Sequence, residues 1–290
     1  MIWWWIPALA LTWVQTFVVL LNQYYKRPGA HIVLWRGMGH TLLFALPFYV
    51  IGAPQDPRFY IGLIGATIPA IYCDIRRYDA SARFGGGMVS RIMPLTIITS
   101  FILWFFIDVE LLKAYIASPL VSAGIVACIV GIMFLLFRLR SNCAINKEAI
   151  AYLLPVVFAA ALMNIGHKYA MDHTSLLPGI VAYLWLQAVM MLMASFYIIR
   201  HQEFCVKGAF SPQSRAAGLS LIVLSVAVMA LKATAMKYAD HPTYVLAIVS
   251  TTSVWVSILY RLVKHKEEAR VHEGMIVVAL VVMIYLTSLI

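Results

Sequence analysis

Charged residues are scarce in this chain of 290 residues. Asp, Glu, Lys and Arg together make up 12% of the sequence, against 63% hydrophobic residues, and the mean hydropathy is +0.87. A soluble domain of this length needs a much larger charged fraction to cover its surface. The composition therefore excludes an ordinary soluble protein and predicts an integral membrane protein.

Acidic residues are the scarcest charged class. There are 12 Asp and Glu against 22 Lys and Arg, which gives a formal net charge of +10. In a soluble protein this excess would suggest a nucleic-acid partner. In so apolar a chain the basic residues instead belong in cytoplasmic loops or along a pathway for an anion. We therefore expect membrane lipids as the surroundings and no nucleic-acid partner.

Cysteine is also scarce, and the four cysteines do not form a recognisable motif. The four cysteines are scattered without a CxxC pair or metal-like spacing, so neither a disulfide framework nor a zinc site is indicated. His167, Asp172 and His173 lie close together in sequence, but no fourth ligand accompanies them. No metal and no cofactor are expected.

Long apolar runs are what the sequence has in abundance. A bilayer span needs about 20 such residues, and ten segments qualify or nearly qualify. The first begins with three tryptophans suited to the headgroup interface and lacks the features of a cleaved signal peptide, so we expect a retained span. The ten predicted spans are residues 3–24, 31–52, 59–76, 84–107, 118–137, 149–170, 177–199, 217–238, 243–263 and 273–290.

Two stretches of the chain resemble each other, Tyr72–Leu136 and Lys232–Leu286. Each places a tyrosine at a turn (Tyr78, Tyr238) and a Val-Ser pair eleven residues later, followed by a charged loop and an apolar run led by glycine. The pattern Leu-x-Asn-x3-Lys also occurs in both the first and the sixth span. These repeated patterns predict a chain that arose by duplication, and duplicated membrane proteins are most often transporters.

The boundary between the two copies is predicted in the polar linker Arg138–Lys147. It divides the chain into an N-terminal repeat, residues 1–140, and a C-terminal repeat, residues 141–290. Five spans in each half require the second half to enter the membrane in the opposite sense. The predicted fold is an all-α integral membrane protein of ten transmembrane helices arranged as two inverted five-helix repeats.

The distribution of Lys and Arg predicts the orientation. With these spans, fifteen basic residues fall in the odd-numbered loops and four in the even-numbered loops. Because basic loops stay cytoplasmic, both termini are expected on the outer side of the plasma membrane. Three basic residues remain inside predicted spans: Arg36, Arg91 and Lys232.

A set of motif residues runs along both halves of the chain: Arg36, Tyr78, Asp79, Ser81, Met93, Pro94, Glu110, Gly124, Gly131, Tyr238, Ala239 and Gly274. Their order and spacing resemble the drug/metabolite transporter superfamily, in its ten-span EamA-like branch, over essentially the whole chain. The resemblance implies a transporter fold much more specifically than it implies a substrate. The family's cytoplasmic termini are opposite to the orientation predicted here, and Val254 stands where a second-half proline would fall.

Ionisable residues inside spans are the first candidates for a binding site, because they persist in a membrane only beside a cavity or a partner. Arg36 and His40 lie one turn apart on the second span, and Arg91 and Lys232 would present positive charge from corresponding half-bundles. A structural ion pair is the alternative for each. Asp74 is the candidate for a protonation switch, with pairing to the neighbouring arginines as the alternative.

Polar uncharged stripes on several spans indicate a lined cavity. Each residue alone is explained by a hydrogen bond between helices, but stripes on four spans favour a hydrophilic pathway. The predicted substrate-binding residues of this kind are Asn22, Asn164, Lys168, Tyr183, Gln187 and Trp255.

These observations predict a secondary transporter working by alternating access, not an enzyme. The excess of basic residues in spans favours a small anionic or zwitterionic organic metabolite. A flippase for a lipid-linked phosphate or sugar is the alternative within this fold, and a membrane-embedded lipid-modifying enzyme is the alternative outside it. Ten spans can enclose a cavity in one chain, so the protein is expected as a monomer or a homodimer.

Overall fold

The computed structural model describes residues 3–85, 88–89, 92–138, 147–201, 206–262 and 271–287. Within these residues the chain is all-helical, without a strand. The helices are α1 Trp5–Tyr25, α2 Gly29–Ile51, α3 Pro57–Phe84, α4 Leu95–Trp104, α5 Val109–Ala117, α6 Pro119–Arg138, α7 Lys147–Asp172, α8 Leu176–His201, α9 Val206–Ala209, α10 Pro212–Tyr238, α11 Pro242–Ser250, α12 Thr252–Leu262 and α13 Val271–Thr287.

Several of these helices are those of a multi-pass membrane protein. In the described part of the chain, six helical segments are long and apolar enough to cross a membrane, or seven if the bent pair α4 and α5 forms one span. The helices α2 and α3 are long enough but are not among these segments. Helix α3 carries six charged residues, whereas α2 carries Arg36 alone. The predicted linker between the halves, residues 139–146, lies outside the described residues.

Helix α3 differs most from its prediction. The sequence analysis ends the third span at residue 76 and puts Tyr78 at a turn, but the helix continues to Phe84 and buries Tyr78. It begins at Pro57 after the N-cap Asp56, whose side chain accepts a hydrogen bond from the Arg58 backbone. Hydrogen bonds from Arg58 also lower the pKa of the Asp56 carboxyl from its ordinary value. The helix ends at Gly85, where φ is +85°.

Two predicted spans contain a local turn, although Pro94 and Thr251 keep right-handed helical backbone angles and residues Pro242–Leu259 count as one apolar span. The segment predicted as the fourth span has a turn at Met93 and Pro94 before α4 begins, and the segment predicted as the ninth span has a turn at Thr251 between α11 and α12. A second difference follows α4, because the predicted acidic loop is the helix α5, bent by 100° from α4. Asp108 caps α5 by accepting a hydrogen bond of 2.9 Å from the Leu111 amide.

The helices pack in pairs that join the two halves of the chain. Helix α3 packs along α7, α1 along α10, α2 against α8, α6 against α13, and α4 against α11. Apolar clusters fill these interfaces; the largest joins α1, α4, α6, α10, α11, α12 and α13. The polar residues between the packed pairs form the centre of the bundle.

Glycines allow the closest of these contacts. A Cβ on Gly62 of α3 would lie 2.6 Å from the backbone nitrogen of Ala170 on α7, and one on Gly166 would lie 2.6 Å from the nitrogen of Ala66. Small residues let two helix backbones approach in this way inside a membrane. The α3–α7 pair is therefore intolerant of side chains at these positions.

Gly62→Ala is expected to lower stability by on the order of 1–3 kcal/mol, because backbone atoms cannot move aside as a flexible side chain would. Gly65→Ala on the same helix is the matched control, since a Cβ there meets nothing within 4 Å. The control should be neutral or slightly stabilising, as alanine favours a helix by about 1 kcal/mol over glycine. Thermal unfolding of the purified variants measures the difference, and equal melting temperatures would contradict the packing described.

Candidate functional site

A cavity of about 230 Å³ lies at the centre of the bundle. Side chains from α1, α2, α3, α7, α8 and α10 line it, together with both interrupted segments. Its walls combine apolar residues with a few charged and amide side chains, the mixture typical of a small-molecule site. The cavity is large enough for a small organic molecule.

One face of α3 supplies the charged part of the cavity. Asp74, Arg77, Tyr78 and Ser81 follow the spacing i, i+3, i+4 and i+7, so they share one face of the helix, and all four line the cavity. Arg36 reaches the same place from α2. Without the extension of α3 beyond residue 76, this face would be incomplete.

Asp74 is held between two arginines. Its Oδ2 accepts a hydrogen bond of 2.6 Å from Arg36 Nη1, and its Oδ1 accepts one of 3.4 Å from Arg77 Nη2. Arg36 also lies 3.4 Å from the Tyr78 hydroxyl. Arg36 and Asp74 are both buried. One carboxylate thus faces two guanidinium groups, and the cluster keeps one positive charge.

Lys232 adds a second positive charge from α10. It lines the cavity beside Asp74 and Arg77, with which it interacts electrostatically. Among the described residues, no side chain forms an ion pair or hydrogen bond with its ammonium group. The cavity therefore carries a net positive charge of two from its described lining, with one cation free to meet a ligand.

Amide and aromatic groups complete the polar wall. Asn22, Asn164 and Gln187 line the cavity from α1, α7 and α8. His167 and Tyr183 stack with their ring centroids 4.3 Å apart, and their exposed fractions are 0% and 1%. Within the described residues, neither nitrogen of His167 nor the hydroxyl of Tyr183 has a hydrogen-bond partner. Buried polar groups are rarely left in this state, so these atoms are available to a ligand or to water.

Tyr183→Phe is expected to leave thermal stability unchanged or to raise it slightly, because the deleted hydroxyl has no protein partner to lose. The contrasting variant is Tyr60→Phe, whose hydroxyl donates a hydrogen bond of 2.8 Å to the Pro54 carbonyl. That change should cost about 0.5–1.5 kcal/mol. Thermal unfolding measures both, and a larger loss for Tyr183→Phe than for Tyr60→Phe would contradict the unpaired state.

The two helix interruptions lie against the cavity. Met93 and Pro94 line it in the first half, and Thr252 lines it just after the turn in the second. Thr12 of α1 contacts both sides of the turn at Thr251. Its hydroxyl donates a hydrogen bond of 3.3 Å to the Ile248 carbonyl, and its carbonyl accepts one of 3.4 Å from the Thr252 hydroxyl. Helix interruptions inside a membrane are tolerated where they border a cavity, as here.

An aromatic cluster lies at the start of α11, next to the cavity. The His241 ring packs 5.1 Å from Phe101 and 5.5 Å from Phe105, measured between centroids. The hydroxyls of Tyr115 and Tyr244 are hydrogen-bonded to each other beside it. Later residues of α11 line the cavity. The cluster therefore connects α4 and α5 to α11 beyond one end of the cavity.

The structure brings many of the predicted site residues into one cavity. Lys168, His40 and Trp255 do not line it, and Arg91 lies outside the described residues. The predicted residues that do line the cavity are Asn22, Arg36, Asp74, Asn164, Tyr183, Gln187 and Lys232.

The three that lie elsewhere have protein partners. His40 Nε2 is 2.8 Å from the Ser225 hydroxyl, which joins α2 to α10. Lys168 donates a hydrogen bond of 2.6 Å to Asp172 one turn later. Trp255 packs 4.2 Å from Trp13, between ring centroids. Each contact is a helix-packing or intrahelical interaction.

Arg77 and Tyr78 are lining residues that the sequence analysis did not include in the site. The signal was present, since both continue the helical spacing that starts at Asp74. It was missed because the charged residues from position 76 onward were taken to end the span. Within the described residues, no group of three or more His, Cys, Asp or Glu is arranged to hold a metal ion.

Comparison of the sequence with protein-family models and with curated proteins gives no match.

Proposed function

We propose that this protein is a secondary transporter of a small anionic or zwitterionic organic metabolite, working by alternating access around the central cavity. The observation that carries the proposal is the cavity itself, with its net positive charge and its position between two helical segments that each contain a local turn. Interrupted helices in corresponding halves are a frequent feature of transporter binding sites.

The pairing of helices supports two inverted five-span repeats of the drug/metabolite transporter type. We match the helices of the two halves in chain order: α1 with α7, α2 with α8, α3 with α10, α4 with α11 and α6 with α13. Exchanging the halves then converts the α3–α7 pair into the α10–α1 pair. The pairs α2–α8, α4–α11 and α6–α13 map onto themselves. All of these pairs are present. A pseudo-two-fold axis in the membrane plane accounts for this pattern.

The two turns lie near each other under the same correspondence but not at equivalent positions. The turn at Met93–Pro94 begins four residues after Val89, and the turn at Thr251 lies two residues after Val249. Val254 in place of a proline does not prevent the second interruption, so proline is not needed there. On this interpretation the chain has ten spans with both termini on the outer side, as the basic loops predict.

Charge selects the class of substrate. A carboxylate or phosphate entering the cavity would meet the free ammonium of Lys232 and the excess charge of the Arg36–Asp74–Arg77 cluster. A zwitterion could place its amine near Asp74, which is one carboxylate shared by two guanidinium groups. Apolar walls from Met191, Met229 and their neighbours leave room for an uncharged portion. A simple organic cation is disfavoured by the electrostatics.

Access would alternate through the interrupted segments. In the described state the aromatic cluster around His241 joins α4, α5 and α11 at one end of the cavity. Separation of α4 and α5 from α11 would break the Tyr115–Tyr244 hydrogen bond and open that end. The turns at Met93–Pro94 and Thr251 provide the hinges, since helix ends absorb backbone rotation at low cost.

Ligand-dependent thermal stabilisation of the purified protein tests the proposal, because a ligand that binds only the folded state raises its apparent stability. The panel contains carboxylates, phosphorylated metabolites, zwitterions, organic cations and short-chain lipid phosphates. We expect a shift of a few degrees with an anion or zwitterion at about 100 times its dissociation constant. That ligand should then be taken up by liposomes containing the protein. Shifts with cations alone would overturn the assignment.

A shift with lipid phosphates alone would favour a flippase instead. A flippase needs a lateral opening from the lipid to the cavity. A groove on the lipid-facing side of α3 shares no lining residue with the cavity. We therefore propose the metabolite transporter ahead of the flippase.

A further inference from the structure

A second concavity, independent of the central cavity, runs along the outside of the bundle. It is a groove of about 640 Å³ between α3 and α8. Residues Ile68 and Met193 in its walls are 60% and 68% exposed, so it opens toward the lipid. The groove residues are Ile68, Ile71, Tyr72, Ile75, Arg76, Asp79, Met190, Met193, Ala194 and Ile198.

The groove is apolar along most of its length and charged at one end. Ile68, Ile71 and Ile75 follow one another along α3, and Arg76 and Asp79 come last. From Ile68 to Asp79 the helix rises about 16 Å at 1.5 Å per residue. Half of a hydrocarbon core of about 30 Å is about 15 Å. The groove therefore matches an acyl chain of one leaflet, with the charges at headgroup depth.

The two charges at the end are of opposite sign and do not pair with each other. Arg76 donates a hydrogen bond of 3.2 Å to the Tyr152 hydroxyl, and its guanidinium lies over the Tyr72 and Tyr152 rings. Asp79 Oδ1 accepts a hydrogen bond of 2.8 Å from the Gly29 amide. Within the described residues, no acidic side chain lies within 4 Å of Arg76 and no basic one within 4 Å of Asp79.

We propose that this groove binds a phosphatidylethanolamine-type lipid, with an acyl chain along α3, the phosphate at Arg76 and the primary ammonium at Asp79. Charge complementarity selects this headgroup. An anionic glycerol headgroup would bring no cation to Asp79, and a choline headgroup has no N–H to donate to a carboxylate. The stacked tyrosines hold the guanidinium in place for the phosphate.

Lipid retention by the purified protein tests the proposal. The protein is delipidated in detergent, incubated with an equimolar mixture of phosphatidylethanolamine, phosphatidylcholine and phosphatidylglycerol with identical acyl chains, and analysed by native mass spectrometry. We expect phosphatidylethanolamine to be retained about fivefold over each of the others, the scale of one charge-assisted hydrogen bond at a partly exposed site.

Three variants locate the site. Asp79→Asn should bring the ratio of phosphatidylethanolamine to phosphatidylcholine close to one, while its amide oxygen can still accept the Gly29 hydrogen bond. Arg76→Gln should reduce retention of all three lipids. Ala194→Trp should fill the groove and do the same, whereas Ala127→Trp on the exposed face of α6 is the matched control and should change nothing.

Equal retention of the three lipids by the wild-type protein would overturn the proposal, as would an unchanged preference in Asp79→Asn. Equal retention by Ala194→Trp and Ala127→Trp would also overturn it. If Ala194→Trp does not fold, the Asp79→Asn ratio decides alone. The central cavity shares no residue with this groove, so failure here would leave the proposed transport function in place.

Discussion

Lys232→Ala is expected to weaken substrate binding by about 10- to 100-fold, the scale of a lost charge-assisted hydrogen bond. The same variant should be as stable as the wild-type protein, or more stable, when no substrate is present. The reason is that Lys232 lines the cavity without a described partner, so its removal relieves an uncompensated charge instead of breaking a contact. Binding and stability should therefore change in opposite directions.

Thermal unfolding with and without the substrate measures both effects in one experiment. Lys113→Ala is the matched control, because Lys113 is exposed and pairs with Glu110 on α5, away from the cavity. The control should keep the full ligand-induced shift. A Lys232→Ala variant that loses stability without ligand, or keeps the wild-type shift with it, would contradict the role assigned to the free ammonium.

Asp74→Asn is expected to be the most destabilising single substitution in the cavity. It would leave Arg36 and Arg77 facing each other without their shared carboxylate. Breaking a buried ion pair from one side costs about 3–5 kcal/mol, because the remaining charge stays buried and unpaired. The variant should unfold at a clearly lower temperature and yield less folded protein.

Asp56→Asn is the control for the Asp74 prediction. Asp56 pairs with Arg58 at 2.9 Å on the surface of the bundle, where an ion pair contributes little, and asparagine is an equally good N-cap for α3. Its cost should stay below about 1 kcal/mol. Combining Asp74→Asn with Arg36→Gln should cost less than the sum of the two single changes, since the second removes one of the stranded charges. Equal effects of Asp74→Asn and Asp56→Asn would contradict the buried network.

The central polar residues were predictable because a membrane penalises them. Arg36, Asp74 and Lys232 stand out in apolar segments, and such residues persist only beside a cavity or partner. Periodicity added Asn22, Asn164, Tyr183 and Gln187, which lie on inward faces of their helices. Lys168 and His40 have the same signature in the sequence. They differ in lying outside the cavity, where Lys168 contacts Asp172 and His40 contacts Ser225. The linear pattern does not reveal this difference.

Helix ends and interruptions were harder to predict. The charged residues from position 76 onward predicted the end of a span, yet α3 continues through them. Side chains of other helices provide partners there: Arg36 of α2 pairs with Asp74, and the Tyr152 hydroxyl of α7 accepts a hydrogen bond from Arg76. The proline at position 94 is a sequence signal for the turn at Met93–Pro94. The turn at Thr251 has none, and contacts with Thr12 accompany it instead. Local helix propensity does not predict a contact with a side chain of a helix that is distant in the sequence.

The sequence by itself determined the class of the protein: a scarcity of charge and long apolar runs leave no alternative to helices in a membrane, since every backbone polar group must be satisfied within its own segment. The tertiary structure decided which polar side chains share the cavity, that Asp74 has two arginine partners, and that Lys232 has none among the described residues. These facts depend on distances between helices far apart in the chain. Composition and periodicity carry no information about such distances.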